Sequence, residues 1–586
     1  MSRTGRFAVI AALVVTVAGW PGSSEAAVGA QTTLRGTLLV AHLDPRPGTP
    51  AAGNIVYALH SGGTYYDLRV IGTPPAPVPA TVEVTGRLSG RVLDATGPGG
   101  AVRVVASAAA PNAISGVGHL LVLPVSWPGA RPTASTAEIQ QTLFDTDNRS
   151  VSSWYRDVSR GAWNWVGSVT PVLAIDDPRG CDYSSLLTIT SEAKAAASAA
   201  GYPTASYDHF MVDLPDNTYC GFGGVGEVSG ANTWINDALT GLGLGWNVEV
   251  AVHELGHNLG LSHSHGLECG NVSESLACWQ SRTSEEEYGN SYDAMGNNWL
   301  GNGPGGGPAE FSARQRQQLG WLNNVRIVAS SGDYTLSPLE LATAASPQAL
   351  TIRTANHEYT VEYRQPVGHD WWFPPSGTDG VQINARNDLP GGDAGPLQID
   401  TTASSDTSDY YADWRDATLT TGRSFSDADR TLAVSVVSRS PTAAVVHVVL
   451  TPLPGSSYHA VTPSRILDTR RGLGAVGPIP AGRSATLQVV GAAGSPVPSG
   501  ADGVTLNVTA TAASAAGYLS VAPALATGTS NLNFTADSTV ANLVVSRLSP
   551  TGSVTIYNGG GSSVAVIADV QGYSTGDATG SGLRRR

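Results

Sequence analysis

Short runs of alternating apolar and polar residues dominate the first part of the chain. Strands are expected at 33–40, 54–59, 65–71, 80–88 and 102–106, several of them separated by Pro- or Gly-rich stretches. They predict a small β-barrel or sandwich over 31–110. From about 115 to 325 the period changes and helices enter. Residues 119–127, 165–175 and 210–214 read as apolar strands, and 226–236 as either a strand or a surface hairpin. Ser135 and Glu138 form a capping box ahead of an amphipathic helix. Residues 189–200 are Ala-rich and helical, and Gly201 closes them. This region predicts an α/β (α+β) domain. Strands return at 334–336, 349–353, 359–363, 380–383, 432–437 and 443–450, predicting a β-sandwich over 326–452. After a Pro/Gly/Ser linker, a further β module is expected over 458–573, and a disordered tail over 574–586 ending in Arg584, Arg585 and Arg586. The chain is thus expected to be multidomain, with an α/β unit flanked by all-β domains.

Within the α/β region, Val248, Val252, Leu255 and Leu259 make an apolar stripe at helical spacing, with Asn247 as the expected N-cap. The polar side of this helix carries His253, Glu254 and His257, and the run continues through Gly260 to His263. Histidines at i and i+4 share one helix face and can chelate one Zn²⁺. Glu254 is turned about 100° from His253, so it can lie beside the metal rather than bind it. Gly260 can take a left-handed conformation that ends the helix and returns His263 as third ligand. The fourth position is left for water, as a catalytic zinc site requires. Nearby His265 is expected to be a solvated loop residue.

The His253–His263 pattern resembles the zinc signature of the metzincin endopeptidases. A second mark of that clan, a methionine turn, is matched by Ser291-Tyr292-Asp293-Ala294-Met295-Gly296. The segments 257–261, 292–296 and 309–321 resemble gametolysin-like peptidases, while Leu261-Ser262-His263-Ser264 is also similar to matrixins. In this resemblance 309–321 is the helix after the turn, and 359–366 resembles a strand common behind such catalytic units. The resemblance implies a metzincin catalytic domain over 115–325, with Glu254 as general base and Met295 beneath the ligands. It also implies an edge strand that pairs with extended substrate, for which 226–236 is the candidate. Some relatives carry a tyrosine ligand two residues after the methionine; Asn297 stands there, so no tyrosine role is carried over. Asn297, Asn298 and Trp299 are candidate lining of the specificity pocket. The 31–110 region is either a propeptide covering the cleft or an accessory module. The last β module resembles those appended to secreted actinobacterial hydrolases, where a cell-surface or polymer ligand and a spacer role are the alternatives.

The net charge of −14 over 586 residues excludes a nucleic-acid footprint and bulk-charge binding to an anionic membrane. Arg3 and Arg6 followed by apolar 7–17 read as a signal peptide (1–26), with Ala26 as cleavage site and Ala30 as fallback. No later apolar run is long enough to span a bilayer, so the chain is expected to be secreted, with cell-wall association through its own domains a further option. Four cysteines allow three pairings. Cys181–Cys220 with Cys269–Cys278 is favoured, because Cys269 and Cys278 bracket one short loop. No cysteine lies between the signal and the catalytic unit, which excludes a cysteine-switch latency there. Acidic, Gly-rich loops leave room for structural Ca²⁺, though no regular calcium loop occurs. The expected function is a secreted zinc endopeptidase acting on proteins or peptides. The rival is an inactive surface adhesion or scaffold protein that keeps the zinc fold; the retained Glu254 opposes it.

Overall fold

The computed structural model describes residues 31–576 except 46–53, 71–79, 108–112, 147–149, 177–179, 216–219, 237–243, 297–306, 390–393, 404–412, 452–455, 476 and 550. The signal segment, the pocket candidates Asn297, Asn298 and Trp299, and the terminal arginines therefore lie outside the described residues. The structure is mostly β and multi-sheeted, with two compact units divided between Leu450 and Thr451.

In the first unit, strands β1 (Gln31–Pro45), β2 (Asn54–Ser61), β3 (Thr64–Arg69), β4 (Ala80–Ser89) and β5 (Val92–Asp94) close a ring. The pairings β1–β2, β2–β3, β3–β5, β5–β4 and β4–β1 complete a small barrel, and β6 (Ala101–Ser107) pairs with β4. Leu38, Leu59, Leu68, Val82, Val84 and Leu93 fill it. Closing the ring leaves β1 free to run on past it. The alternation that ends at Val40 in apolar terms continues as strand for five more residues.

The next sheet is built from β7 (Gly116–Ser126), β8 (Trp163–Val169), β9 (Leu173–Ala174), β10 (His209–Leu214), β11 (Phe222–Glu227) and β12 (Asn232–Asn236). Strands β8, β7, β10 and β12 are mutually parallel, β9 adds to the end of β7, and β11 runs antiparallel beside β12, with the end of β1 paired on its other side. Residues 226–236 are not one strand but the end of β11, a turn and β12, and β1 lies on the outer side of β11. Helix α1 (Thr136–Phe144) opens on the capping box: the Glu138 N–H donates to Ser135 Oγ at 3.2 Å, and the Ser135 N–H to Glu138 Oε2 at 2.8 Å. Helix α2 (Val151–Val158) follows. Helix α3 (Tyr183–Ala199) starts well before the Ala-rich run, because Asp182 caps it by accepting from the Ser185 N–H at 2.9 Å.

Helix α4 (Leu244–Asn258) carries the histidine motif. It begins at Leu244, so Asn247 falls in its first turn rather than at the cap. Its apolar stripe (Val248, Val252, Leu255, Leu259) is buried with Trp154, Met295 and Phe311 in one core. The other side of the sheet packs on α3 through Leu186, Ile189 and Ala193.

Beyond α4, β13 (His265–Leu267) and β14 (Glu285–Glu286) join a sheet whose other members lie after residue 324. Strand β13 pairs in parallel with 396–399. His265 is consequently buried at 3% exposure, not a solvated loop residue, because that pairing carries it into the sheet. Helix α5 (Ala313–Gln318) is shorter than the helix expected over 309–321. The Glu310 and Ser312 N–H groups donate instead to Asp370 Oδ1 and Asp293 Oδ2, which delays the first turn. The β13-containing sheet faces a second one made of 332–336, 424–426, 432–440 and 443–450, and both share a core that includes Tyr359, Val361, Val434 and Val446.

The second unit is a sandwich of two four-stranded antiparallel sheets around Val504, Leu506, Val554 and Val566. Its last strand continues to Gly576, paired with Ser456, so 574–576 belong to the sheet rather than to a tail.

Candidate metal centre

The last turn of α4 ends as its glycine dictates. Gly260 has φ +94°, and the Gly260 and Leu261 N–H groups bond back to the carbonyls of His257 and Gly256. The reversal brings His263 beside His253 and His257: the three ring centroids lie 4.9–5.2 Å apart. Each ring is clamped through Nδ1. His253 Nδ1 is 2.8 Å from the Ala294 carbonyl, His257 Nδ1 is 2.8 Å from the Leu261 carbonyl, and His263 Nδ1 is 2.9 Å from Glu287 Oε1. Those acceptors place a proton on Nδ1 and leave the Nε2 lone pair aimed inward. All three Nε2 atoms are buried and make no hydrogen bond.

The turn 291–296 forms the floor. Met295 is fully buried, and a Cβ on Gly256 would stand 2.5 Å from its Sδ. The helix therefore needs a glycine between the two histidines to sit on this methionine. Asp293 shapes the turn by accepting from the Met295 N–H (2.9 Å) and the Ser312 N–H (3.0 Å). The Ser264 N–H donates to the Met295 carbonyl at 2.7 Å, and Ala294 holds His253, so the floor is hydrogen-bonded to His253 and to the residue after His263.

Glu254 lies beside the cluster at 1% exposure, with Oε2 unpaired. Burial, then the Asp44 carboxylate, push its pKa well above the ordinary value. Strand β11 runs directly over it: a Cβ on Gly224 would meet Glu254 Oε1 at 1.9 Å, and one on Gly226 would meet the Glu254 carbonyl at 2.6 Å.

The most consequential residue was absent from the sequence reading. Asp44, at the end of β1, points its carboxylate into the three histidines. Oδ1 is 2.8 Å from His263 Nε2, while Oδ2 is 3.1 Å from His253 Nε2 and 3.8 Å from His257 Nε2. One ligand atom from each of Asp44, His253, His257 and His263 fits within a 4.8 Å span. Two residues earlier, His42 stacks on His257 with ring centroids 4.5 Å apart and planes 5° apart. Tyr288 donates from its hydroxyl to Asp44 Oδ1 at 2.5 Å and lies 4.2 Å from the His263 ring. The signal for His42 and Asp44 is that they continue the face of β1 that Leu34, Leu38 and Val40 occupy. Polar groups on a buried strand face need a partner. Tyr288 and Glu287 carried no comparable signal.

This donor set fits zinc: neutral imidazole nitrogens with one more nearby ligand at the tetrahedral number. Its electrostatics fit a divalent cation. Burial drives the His257 pKa down to about 4. Burial works in the same direction on His263, but the Asp44 and Glu287 carboxylates overcome it and raise that ring to about 10. The Asp44 and Glu287 carboxylates thus favour a positive charge at His263, a place that a divalent cation would take.

Two disulfides brace the surroundings. Cys181–Cys220 ties the start of α3 to the approach of β11, and Cys269–Cys278 closes the loop after β13. Among the described residues no helix is long and apolar enough to cross a membrane. Both facts are compatible with an extracellular protein.

Residues 119–363 match the family model of the gametolysin peptidases (M11). Residues 119–363 are thus similar to the gametolysin metallopeptidases. Placement in the metzincin clan is consistent with that match. The matched span reaches past α5 into the following sheet, in keeping with the pairing of β13 with 396–399. Among curated proteins none matches. Solved structures similar to part of this chain include a cycloalternan-forming enzyme from Listeria monocytogenes (11% identity, 43% of this chain, 22% of that chain, TM-score 0.12). Another is a glycoside hydrolase family 43 arabinoxylan arabinofuranohydrolase from Bacillus subtilis (9% identity, 40% of this chain, 54% of that chain, TM-score 0.11). The alignments thus span only part of those chains, and at these scores they say nothing about the peptidase fold.

Proposed function

We propose that the chain is a secreted endopeptidase in which His253, His257 and His263 hold one Zn²⁺ and Glu254 is the general base. The observation that carries this reading is the convergence of three buried, unpaired Nε2 atoms whose Nδ1 atoms are all held by acceptors. When bound, the zinc lowers the pKa of a water toward ~7 and polarises the scissile carbonyl. Glu254 takes the proton of that water and delivers it to the leaving amine. Its Oε2 makes no hydrogen bond within the protein and so is open to that proton. Met295 supports the ligands from below without touching substrate. The side of β11 that β1 pairs with has the backbone groups to which an extended polypeptide would add as a strand in place of β1. Export rests on the Arg3/Arg6 start, the apolar run 7–17 and Ala26 as cleavage site.

Elemental analysis of the folded chain should find one zinc, and His257→Ala should lose it. Cleavage of an unfolded protein by the mature enzyme should stop with a chelator. Glu254→Gln should keep the zinc and lose about 10²–10⁴-fold in turnover. Full turnover by Glu254→Gln would remove the base from the mechanism. A zinc-loaded wild type that cleaves nothing, even freed of residues before 116, would favour the scaffold alternative.

A further inference from the structure

Strand β1 does more than close its barrel. Its end adds to the peptidase sheet, antiparallel to β11, in unbroken register from Ala41 opposite Glu227 to Asp44 opposite Gly224. The edge that an extended substrate would need is already paired. His42 and Asp44 lie on one face of β1, two residues apart, and their partners across the ladder are Gly226 and Gly224. Side chains at those glycines would collide with the zinc helix, so the ladder is shaped to bring β1 close over the histidines.

We propose that in the intact chain Asp44 is the fourth ligand of the metal, and that the N-terminal barrel is by this contact an intramolecular inhibitor of the peptidase. This rests on the reading of His253, His257 and His263 as zinc ligands. An ordinary ion pair does not account for the geometry. Asp44 Oδ2 is buried without a hydrogen bond, as are the three Nε2 atoms, and one ligand atom from each of the four residues lies within 4.8 Å of the others. The other oxygen is oriented by the Tyr288 hydroxyl, which fixes the carboxylate in place. A carboxylate there occupies the coordination position that the hydrolytic water needs, and β1 occupies the strand position that substrate needs. Water and substrate are excluded together. His42, stacked on His257, closes the remaining side. The barrel is also anchored away from the cleft: the Ser184 N–H and hydroxyl donate to the Asp67 carboxylate at 2.9 and 2.8 Å. Release follows when the chain is cut between the barrel and β7, so that β1 can leave and water can take the position of the carboxylate.

The test uses the full chain loaded with Co²⁺, in wild type, Asp44→Ala and Asp44→Asn, each before and after cutting at a specific protease site inserted between Ser107 and Gly116. Each form should hold one metal. The visible bands of uncut wild type should differ from those of uncut Asp44→Ala, and cutting should move the wild-type bands toward the variant's. Asp44→Asn preserves side-chain size and guards against loss of folding. A peptide hydroxamate should bind the cut wild type about 100-fold more tightly than the uncut one, as expected if the closed form holds about 99% of the population. Identical bands in all three uncut proteins, or equal hydroxamate affinity before and after cutting, would overturn the inhibitor while leaving the zinc reading intact. Proteins that fold but take up no metal in any form would overturn both.

Discussion

Two places in the first unit bury several charged groups, and they do so in opposite ways. Around Arg364 every guanidinium nitrogen donates. Nε reaches Glu340 at 3.1 Å and Asp370 at 2.8 Å, Nη1 reaches Glu362 at 3.0 Å, and Nη2 reaches Asp370 and the Glu310 carbonyl. Glu362 also caps α5 by accepting from the Ala313 N–H at 2.6 Å. These carboxylates raise the Arg364 pKa in spite of burial. That cluster carries its own cation and serves to fix the strand 358–363 against the helix after the methionine turn. Around Asp44 the carboxylates and imidazoles bring no permanent cation, and their inner atoms stay unpaired. Burial of charge alone does not mark a functional site. What marks it is burial of convergent metal-ligating atoms with no arginine or lysine among them, because the fold then relies on a cation from outside to balance them.

The contrast can be broken at either end. Arg364→Met should show the largest change in stability, a loss of about 3–5 kcal/mol in denaturant unfolding, since it strands several buried carboxylates. The metal cluster should instead respond to its ligand. Zinc at about 1,000 times its Kd should add about 4 kcal/mol to the unfolding free energy of wild type, and nothing to His257→Ala. A wild type indifferent to zinc would erase the difference between the two clusters.

Glu274 is an intermediate case, a buried acid with donors but held near neutrality by burial. It accepts from the Tyr359 hydroxyl and the Ala428 N–H, each at 3.0 Å, and burial raises its pKa to about 7. The folded chain therefore holds this proton more tightly than the unfolded chain. The stabilisation is fully present below the ordinary glutamate pKa and is lost as pH rises through about 7. It amounts to at most about 3 kcal/mol. Glu274→Gln should flatten the wild-type decline over that window in parallel unfolding titrations; equal slopes would refute the assignment. The smallest effect is expected at the floor. Gly256→Ala should lower stability by about 1–3 kcal/mol, because the new Cβ presses on Met295. It should also weaken zinc binding, measured by competition with a chromogenic chelator, whereas the same substitution at solvent-facing Gly221 should do neither.

Much of this molecule is written in local pattern. The strands of the barrel and of both sandwiches follow from alternation, and the Ser135 capping box follows from two residues three apart. The bend at Gly260 follows from the conformational freedom of glycine, and the clustering of His253, His257 and His263 from helical spacing plus that bend. Such features depend on neighbours in sequence, so sequence suffices to determine them. The tertiary structure alone decided the rest. It set β11 between β12 and the end of β1, carried His265 into a sheet shared with 396–399, delayed α5 by giving its first N–H groups to Asp293 and Asp370, and extended β1 until Asp44 met the histidines. Each of these is a pairing between groups far apart in the chain. Asp44 and His263 are far apart in the chain, and the ladder between β1 and β11 makes them neighbours. A lone aspartate at the end of a strand holds no information about what it will touch, because that is settled by the register of a strand nearly two hundred residues away.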